Sequence, residues 1–374
     1  MHRLTPVVQN YAWGSYDGLA RISGRPFPTA VPEAELWMGA HEAAPSELGV
    51  DDDRTTLDQA IASDPVAWLG PAVADRFGGR LPFLLKVLAP AKALSIQVHP
   101  DPDRAASAPQ ETYVDTWPKP EAWVAVEPTE AFVGSRPFDE VRSLASHLGV
   151  AGLSALVERA ASTDSPAHEL LRLVLGATDP EALVGEVLDA CASRANDLTV
   201  AAVLRVAEHF PHDVGLVVLL TMRHRSLEPG DHVFLDAGVL HSLTSGLVVE
   251  VLANSDNVVR AGLTLKKIDV PELLHIVDVD SQVRVEPGAD EDGWTSFAPH
   301  TPYFRLDLTR LSGAGARVPG DQRPRIVLCL DGSAQLTTDG DLWLESGESA
   351  YLLPGEEVTA TGDGTLYVAA PGLD

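Results

Sequence analysis

Residues 228–241 read Glu228-Pro229-Gly230-Asp231-His232-Val233-Phe234-Leu235-Asp236-Ala237-Gly238-Val239-Leu240-His241, and this stretch indicates the fold of the chain. The turn at 228–231 precedes an apolar run at 232–235, and the turn at 236–238 separates that run from a second one, which ends at His241. A further apolar run follows at 247–252. Short apolar runs that are separated by Gly and Pro turns are typical of antiparallel sheets. The segment from about residue 214 onward therefore predicts a jelly-roll or cupin barrel.

The strand pattern extends to both sides of this segment. On the amino-terminal side, the runs at 81–88, 93–98 and 122–126 predict buried strands. Residues 138–210 instead carry apolar side chains at helical spacing, and Asp164-Ser165 and Asp179-Pro180 predict helix starts. Beyond residue 282, short runs at 326–330, 334–337, 349–354 and 365–369 again alternate with turns.

These patterns predict a mainly β fold with a helical insertion. We expect residues 1–137 and 214–281 to form a cupin or jelly-roll barrel, and residues 138–213 to form an α-helical subdomain. Residues 282–374 are expected to form a C-terminal, cupin-like β domain. No constellation of His and Glu follows His300, so any chemistry is expected in the first barrel.

The composition limits the class of protein. A formal net charge of −27, from 27 Lys+Arg against 54 Asp+Glu, argues against nucleic acid or an anionic membrane as a partner. No apolar run is long enough to span a bilayer, and no secretory signal follows Met1. Cys191 and Cys329 are far apart and predict no disulfide framework, so a cytoplasmic location is expected.

The stretch Ser95-Ile96-Gln97-Val98-His99-Pro100-Asp101 places a glutamine and a histidine two residues apart in a predicted strand. Residues i and i+2 of a strand point to the same face, so Gln97 and His99 are expected to project together. An imidazole nitrogen and an amide oxygen on one face make half of a metal site. The residues that follow must supply the other half.

Three other features can complete such a site: Lys119-Pro120-Glu121 before a strand, His241, and the polar loop 254–262 behind the strand that carries Glu250. Each of them alone is more typical of a structural role. A lone Glu is usually solvated, a strand His is usually hydrogen-bonded in the core, and an Asn-Ser-Asp-Asn run usually forms a turn.

Lysines are scarce and are grouped near these features. The chain has only five, at positions Lys86, Lys92, Lys119, Lys266 and Lys267. A preference for arginine explains the scarcity but not the grouping. A local group of ammonium ions in an acidic protein suits an anionic ligand or a proton-transfer role.

Taken together, these motifs resemble those of type I phosphomannose isomerases over most of residues 1–270. The matching segments are Asn10-Tyr11-Ala12-Trp13-Gly14-Ser15, Ala34-Glu35-Leu36-Trp37-Met38-Gly39-Ala40-His41, residues 81–88, 95–101 and 119–121, Glu250, and residues 254–264. The resemblance implies a cupin barrel and one zinc ion per chain. It also implies an aldose–ketose isomerase that interconverts mannose 6-phosphate and fructose 6-phosphate, a small-molecule sugar phosphate, through an enediol.

The resemblance also implies roles for individual residues. The zinc ligands would be Gln97, His99, Glu121 and His241. Arg260 and Lys119 would be catalytic, and Lys86, Glu250, Asp256 and Lys266 would line the substrate pocket. Whether Arg260 serves the phosphate or the enediolate stays open, and so does the choice of Lys119, Asp256 or Glu250 for proton transfer.

The chain departs from the family pattern at a few positions, and these keep other hypotheses open. It has Trp117-Pro118 where the family has Asn-His, Ser242-Leu243 for Ala-Tyr, and leucine for proline at positions 240 and 265. One alternative is a catalytically impaired sugar-phosphate binding or sensor protein on the same barrel. Another is a metal-dependent oxygenase, which usually has a site of two His and one carboxylate for iron. A monomer is expected, with an oligomer left open.

Overall fold

The computed structural model describes residues 1–49, 55–109, 111–297, 299–320 and 322–373. Its strands, in chain order, are β1 (His2–Thr5), β2 (Val7–Gln9), β3 (Glu35–Met38), β4 (Glu47–Leu48), β5 (Thr55–Thr56), β6 (Phe83–Leu88), β7 (Ile96–Val98), β8 (Glu121–Ala125), β9 (Thr129–Ser135), β10 (Met222–Leu227), β11 (His232–Leu235), β12 (His241–Ser245), β13 (Val248–Ala253), β14 (Val259–Gly262), β15 (Val285–Glu286), β16 (Ala289–Glu291), β17 (Trp294–Phe297), β18 (Arg305–Ser312), β19 (Ala316–Arg317), β20 (Arg325–Thr337), β21 (Asp341–Glu345), β22 (Ser349–Leu352) and β23 (Thr359–Ala370).

The helices, in the same order, are α1 (Gly18–Ile22), α2 (Leu57–Ser63), α3 (Pro65–Leu69), α4 (Pro71–Arg76), α5 (Pro102–Ser107), α6 (Phe138–Leu148), α7 (Ala151–Ala160), α8 (Pro166–Leu175), α9 (Pro180–Ala192), α10 (Leu198–Ala207), α11 (Gly215–Leu220) and α12 (Val270–Ile276). None of the helices in the described residues is long and apolar enough to cross a membrane.

Two antiparallel sheets form the first barrel. One has the order β15-β11-β8-β13-β6-β3-β2 and the other the order β10-β9-β12-β7-β14. Apolar side chains from both sheets meet in one buried cluster, which includes Trp123, Val133 and Leu243. The antiparallel strands predicted from residues 81–98, 122–126 and 228–252 are therefore confirmed. The bounds of β11 are those predicted, those of β6, β7, β8 and β13 shift by one to three residues, and the run at 239–241 contributes only its last residue, His241, to β12.

The helices α6 to α11 cover the five-stranded sheet. Their apolar stripes pack with Ile96, Val98 and Phe132 in one large cluster. The two predicted helix starts are confirmed: α8 begins after Ser165, and the Asp179 carboxylate accepts a hydrogen bond from the Ala182 N–H at the start of α9.

One strand prediction is wrong. The strand pattern was expected to return at residue 214, but Gly215–Leu220 forms α11 and the next strand begins at Met222. The whole run from 215 to 220 is buried, so it has no polar face that would reveal a period. A short apolar run of this kind does not distinguish a buried helix from a buried strand.

The C-terminal strands form a third sheet, of order β16-β17-β18-β23-β20-β22-β1-β4-β5. The two runs predicted at 326–330 and 334–337 are one continuous strand, β20, because Asp331 and Gly332 pair with Thr365 and Gly364 of β23 instead of forming a turn, and the register shifts only between Cys329 and Asp331. The first strand of the chain, β1, pairs with β22 of this sheet. The division into domains at residues 137, 213 and 281 stays a prediction.

Candidate metal centre

Strand register brings three of the predicted site residues together. His241 on β12 lies opposite Gln97 on β7, and Arg260 on β14 lies opposite Gln97 from the other side. His99 follows β7, on the face that Gln97 shares by strand alternation. Glu121 begins β8 in the facing sheet. Residues from distant parts of the chain therefore meet between the two sheets.

The ligand atoms of His99, Glu121 and His241 all lie within 4.8 Å of one another. His99 Nε2 is 3.2 Å from Glu121 Oε1, and His241 Nε2 is 3.4 Å from Glu121 Oε2. All three residues are buried. Among the described residues, His99 Nε2, His241 Nε2 and Glu121 Oε2 have no hydrogen-bond partner. Buried polar atoms normally have one, so these three atoms require another group.

The other nitrogen of each imidazole identifies what that group must be. His99 Nδ1 lies 2.6 Å from the Asn257 carbonyl oxygen, and His241 Nδ1 lies 2.9 Å from the Val239 carbonyl oxygen. A carbonyl can only accept, so both Nδ1 atoms carry the proton and both Nε2 atoms present a lone pair. Burial lowers the pKa of His99 to about 4, which keeps this ring neutral. Two imidazole lone pairs and a carboxylate around one point fit a zinc ion.

Glu121 is the anionic member of the cluster. Burial opposes its ionisation, but the neighbouring Lys119 ammonium and the two imidazoles hold the pKa of this carboxyl well below its usual range. Lys119 Nζ lies 3.0 Å from Glu121 Oε1. The backbone on both sides of Lys119 is restricted by Pro118 and Pro120, which are buried. Lys119 is thus held directly beside the candidate metal position.

A row of four side chains crosses the seven-stranded sheet next to this cluster. In the strand register, Trp37 lies opposite Lys86, Lys86 opposite Glu250, and Glu250 opposite Trp123. Lys86 Nζ is 3.6 Å from Glu250 Oε2 and 3.1 Å from Glu35 Oε2, and it lies over the Trp37 ring. The Trp123 indole N–H donates to Glu250 over 2.7 Å.

Two ionisable groups of this row, Lys86 and Glu250, have shifted pKa values. Burial alone would lower the pKa of Lys86, but the carboxylates of Glu35 and Glu250 raise it above its usual value. Burial, together with the negative charge of Glu121, raises the pKa of Glu250 to about 7. Perturbed groups of this kind are common at functional sites.

Asp256 lies at the edge of the site. Its carboxylate is 3.3 Å from His41 Nε2, and this contact lowers the pKa of Asp256 despite partial burial. Both residues line a cavity of about 730 Å³ together with Arg80 and Asn254. That volume falls in the range of small-molecule sites, about 300–1,000 Å³, but none of the four candidate metal ligands is among the residues that line this cavity.

Two of the predicted cationic site residues, Arg260 and Lys266, form no ion pair within the described residues. Arg260 is half-buried, which lowers its pKa, and within the described part of the chain no carboxylate pairs with it. Lys266 is exposed on the loop after β14, where its backbone N–H donates to Thr264 Oγ1. No contact in the structure joins Lys266 to the cluster around Glu121, so its place in the pocket stays a prediction.

Three of the departures from the family pattern, Leu240, Leu243 and Trp117, pack in apolar surroundings, whereas Leu265 is exposed. Leu240 and Leu243 are buried in two different core clusters. Trp117 packs against Phe77 and Tyr303, with ring centroids 5.9 and 5.6 Å away, and the Arg80 guanidinium lies 4.1 Å from its ring centroid. These substitutions leave the candidate ligands in place.

The sequence interpretation missed several residues that contact the site. Glu35, Trp37 and His41 belong to the segment 34–41, which resembles the family, and Glu35 and Trp37 show the same i, i+2 spacing as Gln97 and His99. Asn257 was interpreted only as part of a polar loop. Alternation of polar residues in an otherwise apolar strand is the signal that indicates Glu35 and Trp37.

Comparisons with known proteins agree with this geometry. The sequence model of the catalytic domain of type I phosphomannose isomerase matches residues 1–138. The chain is 35% identical to the mannose-6-phosphate isomerase of Escherichia coli (strain K12), with 98% of each chain covered. It is 34% identical to that of Bos taurus, with 94% of this chain and 90% of the relative covered.

Solved structures give the same result. A phosphomannose isomerase variant from Salmonella typhimurium has a TM-score of 0.91 at 33% identity, with 100% of both chains covered. A mannose 6-phosphate isomerase bound with zinc and yttrium has a TM-score of 0.90 at 32% identity, again with full coverage of both chains.

Proposed function

Because this chain belongs to the type I phosphomannose isomerases, a family of cupin barrels, we propose that Gln97, His99, Glu121 and His241 hold its single zinc ion. The protein is a zinc-dependent aldose–ketose isomerase that interconverts mannose 6-phosphate and fructose 6-phosphate. The observation that carries the ligand assignment is the convergence of three buried, unpaired lone-pair atoms on one point. Gln97 joins them because it lies opposite His241.

The reaction moves a proton from carbon 2 of the aldose to carbon 1 through an enediol. When bound, zinc supplies a Lewis acid for the sugar oxygens at these carbons. We assign the proton transfer to Lys119, because its amine lies 3.0 Å from the ligand Glu121 and so stands beside any sugar held there. Glu250 and Asp256 are the competing candidates for proton transfer. If Lys119 transfers the proton, kcat should fall more in Lys119→Ala than in Glu250→Gln.

Arg260 is proposed to stabilise the negative charge that develops on the enediolate. A guanidinium stays cationic at any working pH. Arg260 lies opposite Gln97 in the strand register, and half-burial strengthens its interaction with a nearby anion. The absence of a carboxylate partner among the described residues leaves its charge available to the substrate.

The remaining pocket residues are assigned by their charge. Lys86 lies between the carboxylates of Glu35 and Glu250, so its charge is already neutralised and it suits a sugar hydroxyl better than a phosphate. Asp256 and Glu250 can accept hydrogen bonds from sugar hydroxyls. Lys266 is exposed at the rim and suits the phosphate.

We further propose that the enzyme acts in the cytoplasm as a monomer on a free sugar phosphate. Cys191 and Cys329 are both free and buried, which suits a reducing compartment. The net charge of −27 disfavours nucleic acid and anionic membranes. Light scattering of the purified protein tests the oligomeric state.

The zinc content of purified protein tests the ligand assignment. Protein prepared without added metal is expected to contain zinc, and His99→Ala and His241→Ala are expected to lose it. His212→Ala is the matched control, since His212 is exposed and its ion-pair partner is Glu181, which does not belong to the cluster. Full zinc occupancy in both ligand variants would contradict the assignment.

A further inference from the structure

Asn257 links the candidate ligand His99 to the chain segment that carries Lys119. We propose that Asn257 is a positioning residue: its backbone carbonyl orients the His99 imidazole, and its side-chain amide fixes residues 114–117 just before Lys119. The inference rests on the proposed function, because it concerns the same zinc site. It adds a residue that touches neither the zinc position nor the sugar.

The first part of the link is the hydrogen bond from His99. The Nδ1–H of His99 donates to the Asn257 carbonyl oxygen over 2.6 Å, and both residues are buried. This bond fixes both the tautomer and the rotation of the ring, so that the Nε2 lone pair points toward Glu121. Partners of this kind typically change metal affinity by about 10–100-fold when they are removed.

The second part is the side-chain amide of Asn257. Its Oδ1 accepts from the backbone N–H groups of Val114 and Asp115, over 2.9 and 3.1 Å. Its Nδ2 donates to the backbone carbonyls of Asp115 and Trp117, over 2.7 and 2.8 Å. The amide therefore uses both of its acceptor sites and both of its donors on one short segment. Aspartate has the same shape but cannot donate when ionised.

A reciprocal set of bonds runs from that segment back to the loop. The Asp115 carboxylate accepts from Ser255 Oγ over 3.0 Å and from the Asp256 N–H over 3.2 Å. The Ser255 hydroxyl in turn accepts from the Asn257 N–H over 3.2 Å. The two segments thus interlock through hydrogen bonds that leave little freedom for either backbone.

The segment passes this constraint to Lys119. Asn257 holds the carbonyl of Trp117, which is two residues before Lys119. Pro118 and Pro120 restrict the backbone on either side of Lys119. A shift of Asn257 is therefore expected to move both the His99 ring and the Lys119 amine. A residue with a purely structural role would affect stability without affecting these two groups selectively.

The test compares three variants by zinc affinity and kinetics. Asn257→Asp keeps the shape and places a carboxylate against two carbonyls. Asn254→Asp is the matched control, because Asn254 is a buried amide of the same loop that donates to the Leu81 carbonyl, and among the described residues its side chain has no hydrogen bond to His99 or to residues 114–117. Ser255→Ala removes one hydroxyl and is mild enough to fold if Asn257→Asp does not.

Zinc affinity is measured by titrating metal-free protein against a chelator of known affinity, with circular dichroism to check the fold. Asn257→Asp is expected to bind zinc about 10–100-fold more weakly than wild type, and Asn254→Asp within about threefold of it. Ser255→Ala is expected to weaken zinc binding in the same direction by a smaller factor. At saturating zinc, kcat of Asn257→Asp is expected to fall at least about tenfold, with KM nearly unchanged.

Four results would count against the inference. A folded Asn257→Asp that binds zinc like wild type would remove the link to His99, and a normal kcat at saturating zinc would remove the link to Lys119. Equal losses of zinc affinity in Asn257→Asp and Asn254→Asp would reduce the role to loop stability. If Asn257→Asp does not fold, a Ser255→Ala variant that binds zinc as tightly as wild type would also contradict the inference. A wild-type chain that binds no zinc would instead contradict the proposed function.

Discussion

Gln97 lies directly opposite His241 in the antiparallel pairing of β7 with β12. The residues belong to distant parts of the chain, and the helices α6 to α11 lie between them in sequence. The pairing places an amide and an imidazole on neighbouring strands of one sheet, while Glu121 faces them from the other sheet. The proposed zinc site is thus built largely on strands, which hold ligands more precisely than loops do.

Arg260→Ala is expected to lower kcat by about 10²–10³-fold, because it removes the cation that we propose stabilises charge in the transition state. KM is expected to change much less. Arg260→Lys is the matched control: it keeps the charge but not the guanidinium geometry, so it should retain part of the rate. Steady-state kinetics with fructose 6-phosphate checks this, and a rise in KM alone would make Arg260 a binding residue.

Glu35→Gln is expected to destabilise the protein and to lower kcat/KM. Lys86 is buried between Glu35 and Glu250, and loss of one carboxylate leaves its ammonium less well compensated. We expect the free energy of unfolding to fall by about 1–3 kcal/mol in urea denaturation. Glu33→Gln is the control, since the side chain of its partner Arg25 is 41% exposed and water can solvate its charge, and a loss below about 1 kcal/mol is expected there. Equal effects of both variants would refute the special role of Glu35.

Trp117→Ala is expected to affect stability more than chemistry. Trp117 packs between Phe77 and Tyr303 and supports Arg80, so truncation leaves a cavity between the barrel and the C-terminal sheet. The expected loss is about 3 kcal/mol of unfolding free energy, with kcat within about threefold of wild type. A large fall in kcat at unchanged stability would show instead that this departure from the family pattern acts on the substrate.

Stability is expected to fall on acidification through His232. Burial lowers the pKa of His232 from 6.5 to about 4, and its ring packs against Phe297. Below pH 6.5 the unfolded chain takes up a proton at this ring, whereas the folded chain does not until about pH 4. The free energy of unfolding should therefore decrease across this window, by up to about 3 kcal/mol.

His232→Leu is expected to flatten that decrease in zinc-loaded protein, as measured by urea denaturation at several pH values. His212→Leu serves as the control because His212 is exposed. An unchanged pH profile in His232→Leu would show that other groups cause the decrease.

The individual strands of this structure could be predicted from the sequence, whereas the pairing and register of neighbouring strands could not. The strands around Gln97, Glu121 and His241 follow from apolar runs and turns, and the resemblance supplies the candidate ligands. The contact of Lys86 with Glu35 depends on which strand lies beside β6 and in which register, and a single strand carries no signal for that.

The same reason explains the misinterpreted segments. The run 215–220 is apolar on every side, so its period is hidden. The pairing of β1 with β22 joins the two ends of the chain, and no local pattern indicates it. In the sequence, Asn257 is a typical turn residue, and only its hydrogen bonds in the structure reveal that it fixes the backbone of residues 114–117.

The most direct test of the proposed zinc site is the formation of mannose 6-phosphate from fructose 6-phosphate by metal-stripped protein as zinc is added back, followed in a coupled assay. The stripped wild type is expected to show no activity and to reach full activity at a single equivalent of zinc, whereas stripped His241→Ala should not recover at that level. Activity that persists after stripping, or a His241→Ala variant that recovers at one equivalent, would contradict the proposed zinc site.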